Sequence, residues 1–319
     1  MTVSKVARVA QDLVCVLARP YIWREMPGWG FIYRHLVGNY ERDGFWTGAT
    51  PRTVRGKLHG YEMTLDLQGW SERTTYFLGR FYDLPTQLLM QALLRPGDRF
   101  CDIGANVGML TLLGSRLVGE QGFVDAVEPN PDCCKRLMDL VTRNRINNVR
   151  LYRVALADRP GRLPLSIKSI NSGEGTLTSV RNVPGFNIEV MVEVTTGDSL
   201  LADVKPAPTL IKIDIEGFEC QALAGLQGTL MRHRPVVSTE IVPTHLARAG
   251  KSVEDLFKAF KALDYQCYSL GLRRSGFRHT LHLPICATSG PFDNNVLWVP
   301  RAGSAGTRAR HLLPLEGYF

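Results

Sequence analysis

The chain has 319 residues, of which 45% are hydrophobic, and its formal net charge is +8 at pH 7. This composition is typical of a globular protein with a sizeable core and excludes disordered and collagen-like classes. The sequence has no apolar run long enough for a membrane-spanning helix, and its start lacks the apolar centre and cleavage site of a signal peptide. The seven cysteines show no C-x-x-C spacing, so we predict reduced thiols in a cytoplasmic protein without a cysteine metal site.

Residues 1–53 are predicted to form an N-terminal helical cap. The first 60 residues hold nine Lys and Arg against four Asp and Glu. Apolar residues recur there at helical spacing, namely Val3, Val6, Ala10, Leu13, Val14 and Leu17. We predict an amphipathic helix whose apolar face covers the core or forms a homodimer interface, and we favour this over peripheral contact with a membrane surface.

Aromatic residues are concentrated between positions 21 and 46, where three arginines accompany them. The aromatic residues are Tyr21, Trp23, Trp29, Phe31, Tyr33, Tyr40, Phe45 and Trp46, and the arginines are Arg24, Arg34 and Arg42. The segment is our candidate for a lid that faces the substrate. The alternative is that the rings simply pack the cap, since large aromatic side chains favour buried positions.

Residues 54–300 alternate between apolar runs and helical patterns, which predicts a second domain of the α/β class. A hairpin (54–58 and 61–67) and a helix near 85–94 precede seven apolar runs, at 99–103, 123–128, 149–156, 209–215, 235–241, 265–270 and 295–300. Helices are predicted from Asn130-Pro131 to about Arg145, from Gly217 to about Met231, and from the Ser252/Asp255 capping box to about Leu263. The alternation indicates a mostly parallel sheet with helices on both faces.

Two further segments depart from this alternation. Residues 163–196 interrupt it with two strand-like runs around a polar loop, which predicts an inserted hairpin. Residues 301–319 form a basic C-terminal tail, of which residues 301–311 are small, polar and basic, so we expect that part to be mobile.

The most informative motif is RFCDIGANVG at residues 99–108. A buried strand ends at Asp102, and Gly104 and Gly108 then permit a tight turn into a helix. The helix entrance offers unpaired N–H groups to an anion. The spacing G-x-x-x-G differs from the G-x-G-x-x-G of a pyrophosphate site, so it fits the amino-acid end of S-adenosylmethionine better than a dinucleotide. We assign Ala105 and Asn106 to the same pocket.

Acidic residues follow the next strands. Glu128, with Pro129 after it, closes the second apolar run, where a carboxylate commonly binds ribose hydroxyls. Ala155 and Asp158 follow the third run, where they would border an adenine ring. The fourth run, LIKIDIEGFE, leaves Asp214, Glu216 and Glu219 at its exit. Because ligands of open α/β sheets bind at the carboxyl ends of the strands, these residues should converge on one crevice, although Glu219 is equally consistent with pointing along its helix.

These motifs together resemble the FkbM family of S-adenosylmethionine-dependent methyltransferases. The resemblance rests on DIGANVG, VEPNP, IKIDIEGFE and NVLWVP and covers roughly residues 54–300. It implies a class I methyltransferase, Rossmann-like fold with strand order 3-2-1-4-5-7-6 and an antiparallel seventh strand. It also implies O-methylation of sugars, polyketides or lipid-linked metabolites, with a loop containing Asn171 and Gly173 near the active site; a plain surface turn is the equal alternative for that loop.

Methyl transfer to a hydroxyl requires a group that removes one proton. We predict Glu240 or His245 as the general base, with Asp214 and Glu216 organising the cofactor and the acceptor; a surface position for His245 is the competing interpretation. We assign no metal ligands, since a divalent cation among these acids is not favoured.

Three functions are compatible with these motifs. The first is a metabolite O-methyltransferase acting on a small-molecule, sugar or lipid-linked acceptor. The second is methylation of RNA or protein, suggested by the basic charge but disfavoured because the basic residues are dispersed. The third is a non-catalytic scaffold that binds S-adenosylmethionine.

Overall fold

The structure, a computed structural model, describes residues 5–168, 175–178, 186–275, 278–288 and 294–312. The chain forms two compact units, one of residues up to Leu84 together with Thr142–Asn144, and one of the remaining residues. The domain boundaries at 53 and 300 stay a prediction. Within the described part of the chain, every helix is too short or too polar to cross a membrane.

The first unit consists of short helices and one hairpin. Its elements are α1 (Lys5–Trp23), α2 (Trp29–Ile32), a π-helical turn (Tyr33–Val37), a 3-10 turn (Tyr40–Arg42), α3 (Asp43–Trp46), β1 (Arg52–Arg55), β2 (Glu62–Leu65) and α4 (Trp70–Leu78). β1 and β2 pair antiparallel, which confirms the predicted hairpin.

The predicted apolar face of α1 does not cover the core, and its alternative role as a homodimer interface stays a prediction. The helix buries Gln11, Cys15, Ala18 and Ile22, whereas Val6, Leu13 and Leu17 are exposed together with Val9 and Val16. The helix has small or apolar residues on two opposite sides. The side that contains Gln11 is buried, and there the Gln11 amide donates to the Phe45 carbonyl oxygen at 2.8 Å. Val3 lies outside the described residues.

The second unit contains the helices and strands that position the site. Its helices are α5 (Leu84–Leu93), α6 (Met109–Val118), α7 (Pro131–Arg143), α8 (Gly197–Leu200), α9 (Glu219–Ala224), α10 (Gln227–His233), α11 (Pro243–Arg248), α12 (Val253–Ala262) and α13 (Ser304–Arg310). Its strands are β3 (Arg99–Ile103), β4 (Phe123–Val127), β5 (Val149–Tyr152), β6 (Ala155–Leu156), β7 (Gly161–Lys168), β8 (Gly175–Thr176), β9 (Phe186–Thr195), β10 (Pro208–Ile213), β11 (Val236–Glu240), β12 (Tyr265–Ser269), β13 (Gly271–Ser275), β14 (Arg278–His282) and β15 (Asn295–Pro300).

Seven of these strands form the main sheet, in the order β12-β15-β11-β10-β3-β4-β5. β15 is antiparallel to both of its neighbours, and the other pairs are parallel. Read from β5, the strands follow the order 3-2-1-4-5-7-6 along the chain, which confirms the expected class I methyltransferase topology. Trp298 on β15 stacks on Phe260 of α12, with ring centroids 4.1 Å apart, and so seals the helix against the sheet.

The insertion is larger than the predicted hairpin. β7 and β9 pair antiparallel as expected, and β6 and β8 extend them to a four-stranded sheet. The third apolar run therefore contributes to two sheets, with β5 in the main sheet and β6 in the small one. The hairpin of β13 and β14 was not predicted. Asn171 and Gly173 lie outside the described residues.

The helix predicted from Gly217 to Met231 is two helices. α9 ends at Ala224, and α10 begins at Gln227. The second helix has its own cap, because the Asp198 carboxylate accepts the N–H groups of Gly228 and Thr229 at 2.8 and 2.6 Å. The predicted capping box of Ser252 and Asp255 is confirmed at the start of α12.

The expectation of a mobile C-terminal tail is wrong for α13. Ala305, Gly306 and Ala309 are buried, and their small size lets the helix approach the sheet closely. Arg308 anchors the helix by donating to the Leu93 carbonyl oxygen at 2.7 Å and by pairing with Asp98.

Candidate active site

The glycine turn after β3 packs against the end of β10. Gly104 has a φ of +78°, and a Cβ there would lie 1.9 Å from the carbonyl oxygen of Asp214. The positive φ and the neighbouring backbone together require glycine. The Gly104 and Ala105 N–H groups both donate to the Val127 carbonyl oxygen at 3.0 Å, and the Gly108 N–H donates to Ala105 at 2.9 Å. These three N–H groups of the turn already have acceptors inside the protein. The expectation that the helix entrance offers unpaired N–H groups concerns the residues after Gly108 and stays a prediction.

Glu128 closes the turn from the next strand. Its carboxylate accepts the Asn106 N–H and the Asn130 N–H, each at 2.8 Å. Burial raises the pKa of Glu128 to about 7, against these two hydrogen bonds. Each carboxylate oxygen has a second lone pair that can accept from a ligand hydroxyl, so the geometry allows the expected ribose contact. Pro129, which follows, is half-buried.

Asp102 is fully buried at the end of β3. One of its oxygens accepts the Thr111 hydroxyl at 2.6 Å. The other oxygen, Oδ1, has no hydrogen-bond donor among the described residues, and its closest positive charge is the Lys212 ammonium at 3.9 Å. Burial raises the pKa of Asp102. An orphaned buried carboxylate oxygen is an acceptor that a cationic ligand group can satisfy.

Lys212 is a site residue that the sequence analysis missed. Its ammonium lies 3.1 Å from Asp214 Oδ2 and donates to the Gly104 carbonyl oxygen at 3.1 Å. Residues two apart in extended backbone share one face, so Lys212 in the apolar run of β10 and Asp214 just past its end were the available signal.

The two residues predicted to border adenine are less closely tied to this cluster. Ala155 is buried in β6, within the core of the small sheet, and Asp158 is exposed just beyond that strand. No described polar contact joins either residue to Asp102 or Glu128, and their role stays a prediction.

Beyond β10 and β11, three further predicted residues come together. Glu216, Glu240 and His245 each offer one side-chain ligand atom, and these atoms lie within 4.8 Å of one another. His245 Nδ1 is 2.9 Å from Glu216 Oε2, although the pair lacks the alignment of a hydrogen bond. All three side chains are partly exposed. The spacing would suit a metal ion as well as proton transfer, although exposed acidic groups commonly cluster without an ion.

Gly217 brings His245 to this position. It has a φ of +106°, and a Cβ there would lie 2.3 Å from the His245 carbonyl oxygen. Glu219 does not point along its helix but folds back, and its Oε1 accepts the N–H groups of Ile215 and Gly217 at 3.1 and 3.2 Å. Burial raises the pKa of Glu219 to about 7. The Glu219 carboxylate therefore stabilises the turn after β10, and this turn determines the position of Glu216.

The inserted sheet reaches the same turn. The Thr176 hydroxyl donates to the Glu216 carbonyl oxygen at 2.9 Å, and Thr176 also bonds the buried Thr178 at 2.9 Å. The loop predicted to approach the site continues from this strand, and its residues 169–174 lie outside the described part.

Glu240 is the most strongly perturbed carboxyl group of the cluster. Burial, with the negative charges of Asp214, Glu216 and Glu219, raises the pKa of Glu240 to about 9, and Lys212 only partly opposes this shift. The raised pKa favours the protonated form of Glu240, which is a hydrogen-bond donor.

The fold and this arrangement define a class I methyltransferase. The chain belongs to the FkbM methyltransferase family, because the Methyltransferase FkbM domain model matches residues 102–267. It is therefore an S-adenosylmethionine-dependent methyltransferase, and S-adenosylmethionine is its cofactor.

Individual relatives are more distant. The chain is 26% identical over 227 residues to the hexuronic acid methyltransferase AglP of Haloferax volcanii, covering 67% of this chain and 84% of that protein. It is 33% identical over 117 residues to the 23S rRNA (uracil(1939)-C(5))-methyltransferase RlmD of Psychrobacter arcticus, covering 34% of this chain and 22% of that protein. The methyltransferase FkbM structure from Methylobacillus flagellatus aligns with a TM-score of 0.41 at 18% identity, over 73% of this chain. The chain spans about half (54%) of the length of that structure.

Proposed function

We propose that the protein methylates a hydroxyl group of a sugar or glycolipid-type small molecule. The observation that supports this proposal most directly is the juxtaposition of Glu216, Glu240 and His245 at the carboxyl ends of β10 and β11. These groups can bind a polyhydroxylated acceptor and remove one proton from it. The relative AglP, a hexuronic acid methyltransferase by name, supports a sugar acceptor.

Asp102 and Glu128 fit the cofactor. The unsatisfied Asp102 oxygen suits the ammonium group of S-adenosylmethionine, and Glu128 suits its ribose hydroxyls. Lys212 stabilises the glycine turn by donating to the Gly104 carbonyl oxygen, and Asp214 pairs with its ammonium group. The bound cofactor supplies an electrophilic methyl group, so the remaining task of the protein is to orient the acceptor and accept its proton.

Within the proposed site, His245 is the general base. The raised pKa of Glu240 favours its protonated form, so we assign it to donate a hydrogen bond to an acceptor oxygen. Glu216 contacts Nδ1 of His245 at 2.9 Å, which favours a proton on Nδ1 and leaves Nε2 to receive the acceptor proton. Such contacts are often poorly aligned before the substrate binds.

RNA methylation is the second candidate. The partial match to an rRNA methyltransferase and the net charge of +8 favour it. The match covers only 22% of that enzyme, so it reaches too little of RlmD to indicate a shared acceptor, and we rank the sugar proposal first.

The proposal is tested by offering the purified protein methyl-labelled S-adenosylmethionine with uronic acids, sugar nucleotides, glycolipids and total RNA. We expect label in a sugar fraction, in a methyl ether that resists mild alkali. Label only in RNA would contradict the sugar proposal. An alkali-labile product would be a carboxylate ester, whose formation needs no general base, and would contradict hydroxyl methylation.

The roles within the site are tested by His245→Asn, with His233→Asn on α10 as the matched control. We expect His245→Asn to lower kcat by roughly 100-fold or more while the affinity for S-adenosylmethionine is unchanged. We expect turnover to persist in EDTA; its loss, restored by Mg²⁺, would show that the three groups hold a cation and would contradict the assignment of His245 as the base.

A further inference from the structure

The outward side of α1 is an apolar surface without a partner among the described residues. Five residues, which we call the α1 outer face, are between 56% and 79% exposed: Val6, Val9, Leu13, Val16 and Leu17. At about 100° per residue they lie opposite the face that packs inward. Monomeric proteins rarely leave such a contiguous apolar patch in water.

The same unit exposes further large apolar side chains. They are Met26, Phe31, Leu36 and Phe45, and all of them precede the hairpin. Aromatic and aliphatic side chains of this kind favour the boundary between lipid headgroups and acyl chains.

The excess of basic side chains in residues 5–46 indicates an anionic partner for the α1 outer face. Three of the four acidic side chains in this segment are neutralised by basic residues from later in the chain: Asp12 pairs with Arg52, Glu25 with Lys57 and Arg80, and Asp43 with Arg73. The six basic side chains of the segment therefore have almost no acidic counterpart within it. They are Lys5, Arg8, Arg19, Arg24, Arg34 and Arg42.

We propose that the α1 outer face binds a membrane surface that contains anionic phospholipid. Lys5 and Arg8 lie along one flank of the face by the helical periodicity, where long basic side chains can reach phosphate groups while the apolar residues enter the boundary layer. Arg19 lies on the same flank, but its guanidinium donates to the Tyr76 carbonyl oxygen at 3.3 Å. A second copy of the chain fits less well, because pairing two such faces would bring two sets of uncompensated cations together.

The experiment is flotation of the full-length protein with vesicles of phosphatidylcholine alone and with vesicles that also contain phosphatidylglycerol. We expect binding to the anionic vesicles only, weakened by added salt. Val9→Gln, Leu13→Gln and Val16→Gln combined should lower the partition coefficient at least roughly tenfold. Lys5→Gln and Arg8→Gln should each lower it about fivefold.

The matched control replaces three similarly exposed apolar residues of the other unit, in Met191→Gln, Met231→Gln and Ile285→Gln, and should bind like the wild type. Equal binding by the α1 triple variant would overturn the proposal, as would failure of the wild-type protein to float. A dimer that the α1 triple variant loses, without vesicle binding, would instead assign the face to a second copy. Turnover of a soluble acceptor should be the same in both triple variants, so this test is independent of the proposed reaction.

Discussion

The ammonium group of Lys212 lies 3.1 Å from the carboxylate of Asp214, which follows directly after the end of β10. Lys212 also donates to the carbonyl oxygen of Gly104 at 3.1 Å. One cation thereby ties the exit of β10 to the glycine turn of β3. Burial opposes its charge, yet Asp214 and Asp102 raise the pKa of Lys212 above its usual value, so it stays charged.

We expect Lys212→Met to destabilise the protein by about 3–5 kcal/mol, because Asp102 would become a buried carboxylate without a counter-ion. The control is Asp214→Asn, which removes only the more exposed partner and should cost about 1 kcal/mol. Urea unfolding measures both. Equal free energies of unfolding for wild type and Lys212→Met would show that Asp102 does not depend on this cation.

Glu240 should make stability depend on pH. Its pKa is about 9 in the folded protein, whereas an unfolded glutamate ionises near 4.3. The folded state therefore binds more protons between about pH 5 and 9, and it loses stability as the pH rises through that range. Glu240→Gln has no such proton. We expect the Tm of Glu240→Gln to exceed that of the wild type by a margin that grows up to about pH 9 and then levels off. Parallel Tm curves would contradict the raised pKa.

Glu128 should act on both turn geometry and cofactor binding. An amide in its place has one acceptor oxygen for two backbone N–H groups, so Glu128→Gln leaves either Asn106 or Asn130 without a partner. We expect the Kd for S-adenosylmethionine to rise roughly tenfold or more, which corresponds to about 1–3 kcal/mol. Calorimetric titration measures it, with Glu120→Gln at an exposed position as the control. An unchanged Kd would remove Glu128 from the cofactor site.

Gly217 should be required for catalysis more than for cofactor binding. In Gly217→Ala the new Cβ meets the His245 carbonyl oxygen, so we expect α11 to shift and kcat to fall while S-adenosylmethionine still binds. Gly250→Ala is the matched control, because Gly250 also has a positive φ (+68°) but no atom within 4 Å of the added Cβ. It should cost only about 1 kcal/mol of stability with normal kcat. A normal kcat in Gly217→Ala would show that activity does not depend on the position of His245.

Gly104→Val should lose both cofactor binding and stability. The new side chain would meet the Asp214 backbone, where the glycine turn packs against the end of β10. We expect a lower Tm, and a loss in free energy of unfolding that exceeds the ~1–3 kcal/mol of a strained backbone alone. A Tm like that of the wild type would show that the turn can move away from β10.

Helix caps and strands were predicted correctly from the sequence where a short local pattern determines them. Ser252 and Asp255 cap α12 as predicted, and the apolar runs fall on the strands. The buried face of α1 could not be predicted, because Gln11 is selected by a distant carbonyl group whereas Leu13 is left outside. Lys212 was missed for a similar reason: its partners Asp102 and Gly104 belong to another strand, and sequence periodicity does not show which strands become neighbours.

The position of β15 has a consequence for how the enzyme is made. Within the seven-stranded sheet β12 pairs only with β15, which follows it in the chain. Glu240 at the end of β11 also faces Asn295 of β15, and the Ile241 N–H donates to Asn294 at 2.6 Å. During synthesis Tyr265–Ser269 must therefore wait beside an incomplete sheet until residues up to Pro300 have left the ribosome. We expect a chain stopped before that point to expose an unpaired strand edge and to leave the proposed acceptor end of the site incomplete. Solubility and activity would then both depend on the strand of this sheet that is translated last.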